Sequence, residues 1–318
     1  MDFKDFKDKY QKVQVEQFPN KVQENIVVSV CVQTYQHAPY IKECLDGILM
    51  QETDFPFEVL LGEDASTDGT REICIEYAKK HPHKIKLFLH SRENNIKVGG
   101  EPTGRFNFLY NLYSARGNYI ALCEGDDYWT DPLKLQKQVD FLEKNEDCSL
   151  CFHNAEVVFE NSNKDKILFR ELEDRNYSGE EVLRKWTIPT ASVVFRKKYL
   201  DAKIYEHPDI LYGDIMLFLK MAEHGKLKCF SESMSVYRRH EGGMMYKKRK
   251  NGLRFEKAIA HNKAILDLFG NKYRKVQDWN LFKLYLKLFR ARFYEQNPRL
   301  FKPLLHSVRY ALAYIFSK

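Results

Sequence analysis

Four apolar runs alternate with stretches of helical periodicity between residues 26 and 127, and this alternation limits the possible folds more than any other feature of the sequence. The runs are IVVSVCV (26–32), FEVLLGED (57–64), KIKLFLH (84–90) and NYIALCEGDD (118–127). Helical spacing occupies the intervening segments 39–51, 66–80 and 106–115. Because strands that alternate with helices of about ten residues or more are joined by crossovers, the sequence predicts an α/β fold with a mostly parallel central sheet and helices on both faces.

Three of the predicted strands end in polar or acidic residues, namely QTY (33–35), GED (62–64) and EGDD (124–127). The carboxyl ends of parallel strands meet at one edge of a sheet, which is where α/β proteins bind ligands. Carboxylates this close repel one another, and a hard dication that also holds phosphate oxygens offsets the repulsion. The acidic edge therefore predicts a site for Mg²⁺ or Mn²⁺ and a diphosphate.

A further acid, Asp214, opens the apolar helical stretch DIMLFL directly after Gly213. Together with the acidic strand ends, this Asp favours a functional cluster of carboxylates over solvated loop residues. An Asp in this place is also a common N-terminal cap. The sequence alone leaves both roles open.

The sequence predicts three regions along the whole chain. Residues 1–24 have the pattern of a polar helix peripheral to the core, 25–245 form the α/β domain, and 246–318 form a basic helical extension. Within the domain, a helix is predicted over 131–145 and another over 214–225. Less regular strands are predicted in SLCFHNAEVVF, ASVVFRK, KLKCF and ESMSVYRRH.

The seven cysteines fall mostly inside apolar runs, which is typical of buried free thiols in a reducing compartment. Cys148 and Cys151 form a CxxC with His153 nearby, but a zinc site normally needs a second ligand pair, so we interpret them as core residues. The N-terminal residues lack the apolar stretch of a signal peptide, and no window offers the roughly 18 apolar residues of a membrane span. We expect a cytoplasmic protein that can work at the inner face of the membrane.

The net charge of +7 is unevenly distributed. From Arg238 onward the chain has 20 Lys and Arg against 5 Asp and Glu, whereas residues 1–237 carry a net charge of −8. Basic, aromatic-rich helices of this kind lie on an anionic membrane surface, cap an acidic domain or form a dimer contact, and the sequence leaves these alternatives open. KKRK (247–250) is a short basic run without a nucleic-acid motif, so we expect no nucleic-acid partner.

Four segments together resemble a family-two glycosyltransferase of the GT-A fold, most closely the bacterial enzymes that build surface polysaccharides. They are VVSVCVQTYQHAPYIKECLDGILMQ, FEVLLGEDASTDGT, GNYIALCEGDDYWTDPLKLQKQVDFL and DIMLFLKMAEHGKLKCFSESMSVYRRHEGG. The resemblance covers roughly residues 25–245. It implies a Rossmann-like sheet, a nucleotide-sugar donor, a Mn²⁺ or Mg²⁺ cofactor and a glycan or lipid-linked acceptor.

The resemblance also implies which residues hold the nucleotide diphosphate. The loop that frames the base matches Gln33, Thr34 and Tyr35. The acidic pair after the second strand, whose second acid hydrogen-bonds the uracil, matches Glu63 and Asp64, with Ala65 where the family usually has Gly. An Arg that approaches the diphosphate matches Arg105, and the first acid of the DxD motif matches Glu124.

For the metal and the reaction, the resemblance implies that one or both of Asp126 and Asp127 bind the cation and that one of them reaches the ribose. It also implies that His240 completes the metal or phosphate contacts and that Asp214 is the general base. Gly213 stands where the family has a Glu. Trp129 and Tyr128 either support the acceptor sugar or pack in the core. The implied reaction is a single displacement that inverts the anomeric carbon of a sugar, with UDP-sugars favoured as donors.

Two other functions compete with this one. A nucleotidyltransferase on a related sheet would normally carry a Gly-rich, basic signature after the first strand, and QTYQHAP has none. A catalytically inactive sugar-nucleotide-binding scaffold could lose its acids at little cost, yet Asp64, Asp126, Asp127 and Asp214 are all present. The sequence therefore favours a metal-dependent inverting glycosyltransferase.

Overall fold

A computed structural model describes residues 2–160, 162, 164–243, 252–295 and 301–316. The strands are β1 (Glu16–Gln17), β2 (Val28–Thr34), β3 (Phe57–Glu63), β4 (Ile85–Leu89), β5 (Lys97–Val98), β6 (Glu101–Pro102), β7 (Tyr119–Glu124), β8 (Tyr128–Trp129), β9 (Cys148–Phe159), β10 (Ile167–Leu168), β11 (Asn176–Tyr177), β12 (Val194–Arg196) and β13 (Lys226–Arg239). The helices are α1 (Phe3–Tyr10), α2 (Ile41–Leu49), α3 (Thr70–Lys80), α4 (Arg105–Ser114), α5 (Lys134–Lys144), α6 (Gly179–Lys185), α7 (Gly213–His224), α8 (Gly252–Phe269), α9 (Arg274–Tyr294) and α10 (Phe301–Phe316).

A single large sheet organises the α/β domain. Its order is β1-β4-β3-β2-β7-β12-β9-β13-β11, with β8 paired to β13 and β10 paired to β9. Strands β4, β3, β2 and β7 are parallel to one another, as are β9 and β13. The short strand β12 lies antiparallel between β7 and β9. The predicted α/β architecture with a mostly parallel sheet is confirmed.

Helices cover both faces of this sheet because alternate strand residues point in opposite directions. Val30 and Val32 of β2 pack in a core that includes Leu45 of α2. Cys31 between them packs in a second core with Phe106 of α4. The run VVSVCV is apolar throughout because both of its faces are buried, as expected for a central parallel strand.

The second half of the sheet differs in detail from the sequence prediction. KLKCF and ESMSVYRRH were expected to form separate strands, but they join in the single strand β13. The exposed polar residues between them are accommodated by register shifts between Phe230 and Ser233 and between Ser233 and Val236. An irregularity of this kind lets a strand pass a polar interruption without ending. It also carries β13 to the acidic edge of the sheet.

The N-terminal segment is less helical than the prediction for residues 1–24. Helix α1 is confined to Phe3–Tyr10, and β1 then pairs antiparallel with the outer edge of β4. Phe6 is fully buried and its ring lies 5.1 Å from those of Phe106 and Tyr113, measured between centroids. The segment therefore contributes a side chain to the core under α4, which a peripheral helix would not do.

Helices α8, α9 and α10 form the predicted C-terminal helical extension. Ile259, Leu281, Tyr285 and Leu288 make a small core between them. Among the described residues, no helix combines the length and apolar character needed to cross a bilayer. The KKRK run at 247–250 lies outside the described residues. All seven cysteines are buried free thiols, as predicted.

Candidate active site

The loops that follow β2 and β3 are held together by hydrogen bonds at the acidic edge of the sheet. The backbone amide of His37 donates to Oγ1 of Thr70 (2.8 Å), and that of Ala38 donates to Oδ2 of Asp68 (3.0 Å). Thr70 and Asp68 belong to the turn STDGT between β3 and α3. This turn therefore fixes the backbone that carries the His37 imidazole.

The imidazole of His37 joins Asp126 and His240 in a cluster of potential metal ligands. Nε2 of His240 lies 3.0 Å from Oδ2 of Asp126, and Nε2 of His37 lies 3.8 Å from the same oxygen. One ligand atom from each residue falls within 4.8 Å of the other two. Two imidazoles and one carboxylate fit Mn²⁺ better than Mg²⁺, which prefers oxygen ligands and bound water.

The two histidines also determine the charge state of Asp126. Burial would raise the pKa of Asp126, but the hydrogen bond to His240 and the charges of His37 and His240 outweigh burial and lower this pKa. Burial, together with the charge of His240, lowers the pKa of His37. The ionised carboxylate is the form of Asp126 that can bind a cation.

Gly125 allows the turn before Asp126 to approach β2 closely. A Cβ atom at this position would lie 2.7 Å from Oγ1 of Thr34 and 3.0 Å from Nδ1 of His37. The Gly125 amide donates to the carbonyl of Gln33 at 2.9 Å. The small middle residue of the Glu-Gly-Asp motif is thus required by packing.

The environment of Asp127 differs from that of its neighbour Asp126. Its Oδ1 accepts a hydrogen bond from the backbone amide of Arg238 at 2.9 Å, and the residue is buried. Burial, followed by repulsion from Asp126 and Glu124, raises the pKa of Asp127 well above its usual range. The structure does not bring this predicted metal ligand into the histidine cluster, so its metal contact stays a prediction.

The Arg238 side chain holds the same turn in place. Its guanidinium pairs with Glu160 at 2.6 Å and with Glu43 at 2.5 Å, and its Nε donates to the carbonyl of Asp126 at 2.8 Å. Carboxylates of the domain thus occupy the Arg238 guanidinium.

At the end of β3, Asp64 is buried but keeps one oxygen free of protein partners. Oδ2 receives hydrogen bonds from Arg92 (2.7 Å) and Asn95 (3.2 Å), whereas the buried Oδ1 has no partner. Burial, against the opposing charge of Arg92, raises the pKa of Asp64 to about 6. The guanidinium of Arg92 also lies 3.9 Å from the ring centroid of Tyr35, which is 40% exposed. A planar base could lie beside this ring with an edge toward Asp64.

Glu63, the residue before Asp64, is fully buried and both of its carboxylate oxygens have partners. Oε1 accepts from the Ser66 amide at 2.6 Å, and Oε2 pairs with Arg71 at 3.1 Å. These contacts tie the end of β3 to the following loop and to the first turn of α3. The structure gives Glu63 no free oxygen for a nucleotide, and its predicted nucleotide contact stays a prediction.

Several buried polar atoms without a hydrogen-bond partner cluster at this edge. Besides Oδ1 of Asp64, they include Nε2 of Gln33, Oγ1 of Thr34, Nδ1 of His37 and Oδ2 of Asp127. Buried polar atoms in folded proteins are nearly always paired, so a group of orphans indicates a polar ligand or ordered water. Gln33 and Thr34 belong to this group, and their predicted nucleotide contact stays a prediction.

Asp214 reaches the same neighbourhood from the first turn of α7. Burial raises the pKa of Asp214 to about 6, against hydrogen bonds from nearby backbone amides and from Thr190. Burial and the charges of Asp126 and Asp214 raise the pKa of Glu124 to about 8. Acids from two distant segments therefore interact electrostatically, and they do so at the predicted edge.

Two other predicted residues have structural partners. Arg105, at the start of α4, is buried and its guanidinium donates to the carbonyl of Ile210. It links α4 to the segment that leads into Asp214, and its predicted diphosphate contact stays a prediction. Trp129 is buried and its indole donates to the carbonyl of Ala191 at 2.8 Å, which favours core packing over sugar stacking.

Sequence reasoning missed His37, Arg92 and Asn95 in this site. The signal for His37 was present, because it lies two residues after the predicted Tyr35 in the same loop. Arg92 and Asn95 follow β4, and no pattern in the sequence connects them with Asp64. Only the pairing of β4 with β3 brings them there.

Comparison with known proteins identifies the family. Residues 29–201 match the sequence profile of glycosyl transferase family 2. The chain belongs to this family. The uncharacterized protein Rv1520 of Mycobacterium tuberculosis is 37% identical over 248 residues, which cover 76% of this chain and 68% of Rv1520. The uncharacterized glycosyltransferase EpsJ of Bacillus subtilis is 26% identical over 233 residues, covering 71% of this chain and 62% of EpsJ.

A solved structure with the same fold extends the comparison. The S. aureus TarS fragment 1–349, in complex with UDP-GlcNAc, superposes with a TM-score of 0.57 at 15% sequence identity and covers 91% of each chain. This likeness concerns the fold, which is GT-A. This family-2 member is therefore a GT-A glycosyltransferase in which acids and histidines lie at one edge of the central sheet.

Proposed function

We propose that this glycosyltransferase moves a sugar from a UDP-sugar, with inversion and with the help of Mn²⁺, to a hydroxyl of a glycan or lipid-linked acceptor in bacterial polysaccharide synthesis. The observation that carries the proposal is the His37–Asp126–His240 cluster, which lies beside the orphaned polar atoms at the ends of β2 and β3. The complex of TarS with UDP-GlcNAc supports this class of donor.

His37, Asp126 and His240 are the residues that fit the cation. Their ligand atoms are close enough to share one ion, and each comes from a segment that other contacts hold in place. A bound dication supplies electrostatic stabilisation to the leaving diphosphate.

Asp64 and Tyr35 would position the base. The unpartnered Oδ1 of Asp64 can accept the N3–H of uracil, while Arg92 holds the other oxygen. Arg92 lies over one face of the Tyr35 ring, and the residue is 40% exposed, so a base would stack on the other face. Thymine presents the same edge as uracil, so the contact favours these two bases over cytosine and adenine, whose ring nitrogens at that edge are acceptors.

Asp214 would accept the proton of the acceptor hydroxyl as that oxygen attacks the anomeric carbon. A pKa of about 6 leaves the carboxylate mostly ionised at neutral pH and still basic enough to take up a proton. Attack opposite to the leaving diphosphate inverts the configuration. One displacement completes the transfer, so no covalent nucleophile is assigned.

A donor screen tests the proposal. UDP-, dTDP- and GDP-sugars are compared by thermal shift and by slow donor hydrolysis, each with Mn²⁺, with Mg²⁺ and with EDTA. We expect stabilisation by UDP-sugars that requires a dication and is larger with Mn²⁺ than with Mg²⁺. Equal binding of UDP-sugars with EDTA would contradict the metal assignment, and preference for a GDP-sugar would contradict the base assignment.

A further inference from the structure

Helix α10 exposes a continuous apolar face. Pro303 and Ser307 are its buried residues. On the other side, six large apolar side chains are between 49% and 77% exposed. They are Phe301, Leu305, Val308, Leu312, Ile315 and Phe316, which we call the α10 apolar face.

The spacing of these residues places them on one side of the helix. Intervals of four and three residues recur from 301 to 315, and such intervals follow one stripe of an α-helix. The opposite side is already occupied. There the ring of Tyr310 lies 5.6 Å from that of Tyr285, and the ring of Tyr314 lies 5.0 Å from that of Trp279, measured between centroids. The α10 apolar face therefore cannot serve the core that α10 makes with α9.

Basic side chains border this face. Lys302 and Arg309 are both exposed and, seven residues apart, lie along the same edge of the stripe. Residues 301–316 contain no Asp or Glu. The neighbouring helix α9 adds the exposed Lys287 and Arg290, and its single acid, Asp278, is buried. The surface around the α10 apolar face is thus positively charged.

We propose that the α10 apolar face inserts into an anionic lipid surface, with Lys302 and Arg309 at the level of the headgroups. A helix with a broad apolar side and basic flanks lies in the membrane interface, where burial of the apolar side adds to attraction by anionic lipid. Because α10 has only 16 residues, fewer than the roughly 20 that a span requires, it lies along the surface.

A second copy of the chain fits this face less well. Heptad-like spacing is also found in helix dimers, but those are oriented by opposite charges beside the apolar seam. Two α10 helices would bring Lys302 and Arg309 together with no acid on either helix. A helix of 16 residues is only about 24 Å long, so the seam would fall short of the roughly 800 Å² per partner typical of stable complexes.

Vesicle flotation of the full chain tests this proposal, with phosphatidylglycerol vesicles compared with phosphatidylcholine vesicles. The double variant Leu305→Glu/Leu312→Glu removes the centre of the face. The matched control is Leu168→Glu in β10, because Leu168 and Leu312 are each 49% exposed. A third variant, Lys302→Gln/Arg309→Gln, removes the bordering charges. Circular dichroism checks that every variant is folded.

We expect wild type and Leu168→Glu to bind anionic vesicles equally, and Leu305→Glu/Leu312→Glu to bind at least tenfold more weakly. Loss of each basic residue should weaken binding roughly fivefold, with no change on phosphatidylcholine. The proposal is overturned if wild type does not float, or if the double Glu variant floats like wild type. It is also overturned if that variant instead converts a dimer to a monomer. The readout is binding and not transfer, so failure here leaves the donor site assignment untouched.

Discussion

Two adjacent acids lie at the end of β3, and two more lie just after β7. At β3 the second acid of the pair is available to a ligand, whereas at β7 it is the first acid that faces potential ligand groups. At the end of β3, Ser66 and Arg71 pair with the two oxygens of Glu63, whereas Asp64 keeps one oxygen without a partner. After β7 the earlier acid, Asp126, faces the histidines, and the later one, Asp127, accepts the Arg238 amide. Both oxygens of Glu63 are paired within the fold, whereas Asp127 is held through Oδ1 and keeps Oδ2 without a partner.

This difference teaches that proximity in sequence does not assign a role to a carboxylate. The two members of each pair meet different partners, although they are neighbours in the chain. The role of each acid depends on the partners that the rest of the fold delivers. Arg71 reaches Glu63 from α3, and Arg238 reaches Asp127 from β13. The predictions below test this division between structural and ligand-facing acids.

Asp214 stands outside both pairs and gives the largest expected effect. Asp214→Asn keeps the size of the side chain but removes the proton acceptor, so we expect kcat to fall by about 10²–10⁴-fold. Binding of UDP and Mn²⁺, measured by calorimetry, should stay within twofold of wild type. A variant that transfers at nearly the wild-type rate would show that another group is the base.

Asp126→Ala and Asp127→Ala form a matched pair at the end of β7. Asp126→Ala should abolish Mn²⁺-dependent donor binding and lower turnover by about 10²–10³-fold, because a stabilising charge at the diphosphate is lost. Asp127→Ala should instead lower the free energy of unfolding by about 1–3 kcal/mol, since the buried Arg238 amide loses its acceptor. Urea unfolding and Mn²⁺ titration separate the two results. Loss of Mn²⁺ affinity in Asp127→Ala would support the sequence-based ligand instead.

The same division is tested at the end of β3 by Asp64→Asn and Glu63→Gln. Asp64→Asn should weaken UDP binding by about 10–100-fold, which corresponds to the loss of a hydrogen bond to a charged acceptor. Glu63→Gln should lower stability and leave UDP affinity nearly unchanged. If Glu63→Gln loses affinity and keeps its stability, the assignment of the two acids is reversed.

The pH dependence distinguishes Asp64 from Asp214, whose pKa values are both raised to about 6. Each must be ionised to work, so activity is lost as the pH falls below about 6. We expect kcat to fall by about tenfold per unit on this acid limb, because it reports Asp214 in the bound complex. The donor KM should rise over the same range because of Asp64. In Asp64→Asn, the kcat limb should persist and the KM change should disappear.

The smallest effect is expected at Ala65, which follows Asp64 and adopts a left-handed backbone with φ of 55°. This conformation costs an L-residue about 1–2 kcal/mol, whereas glycine adopts it freely at an entropic cost of about 0.5–1 kcal/mol. Ala65→Gly should therefore stabilise the fold by up to about 1 kcal/mol with unchanged UDP affinity, measured by urea unfolding and calorimetry. A clear loss of affinity would mean that a rigid turn is needed to aim Asp64.

Much of the fold and part of the site were predictable. The positions of β2, β3, β4 and β7 and of the helices between them follow from local periodicity. Asp64, Asp126, Asp214 and His240 were predicted where the structure brings polar groups together. The predicted length of α1 was wrong, because local polarity did not reveal that Phe6 is buried. The predicted break in β13 was also wrong, because pairing with β9 carries the strand past its polar residues.

The sequence by itself determined the order of the elements and the edge of the sheet at which acids collect, since both depend on residues close together in the chain. Only the tertiary structure decided which partners each acid of a pair meets, that His37 joins Asp126, that Arg105 binds a carbonyl, and that α10 shows its apolar side to solvent. The physical reason is that a side chain's role depends on its partners, and these partners come from segments far away in the chain.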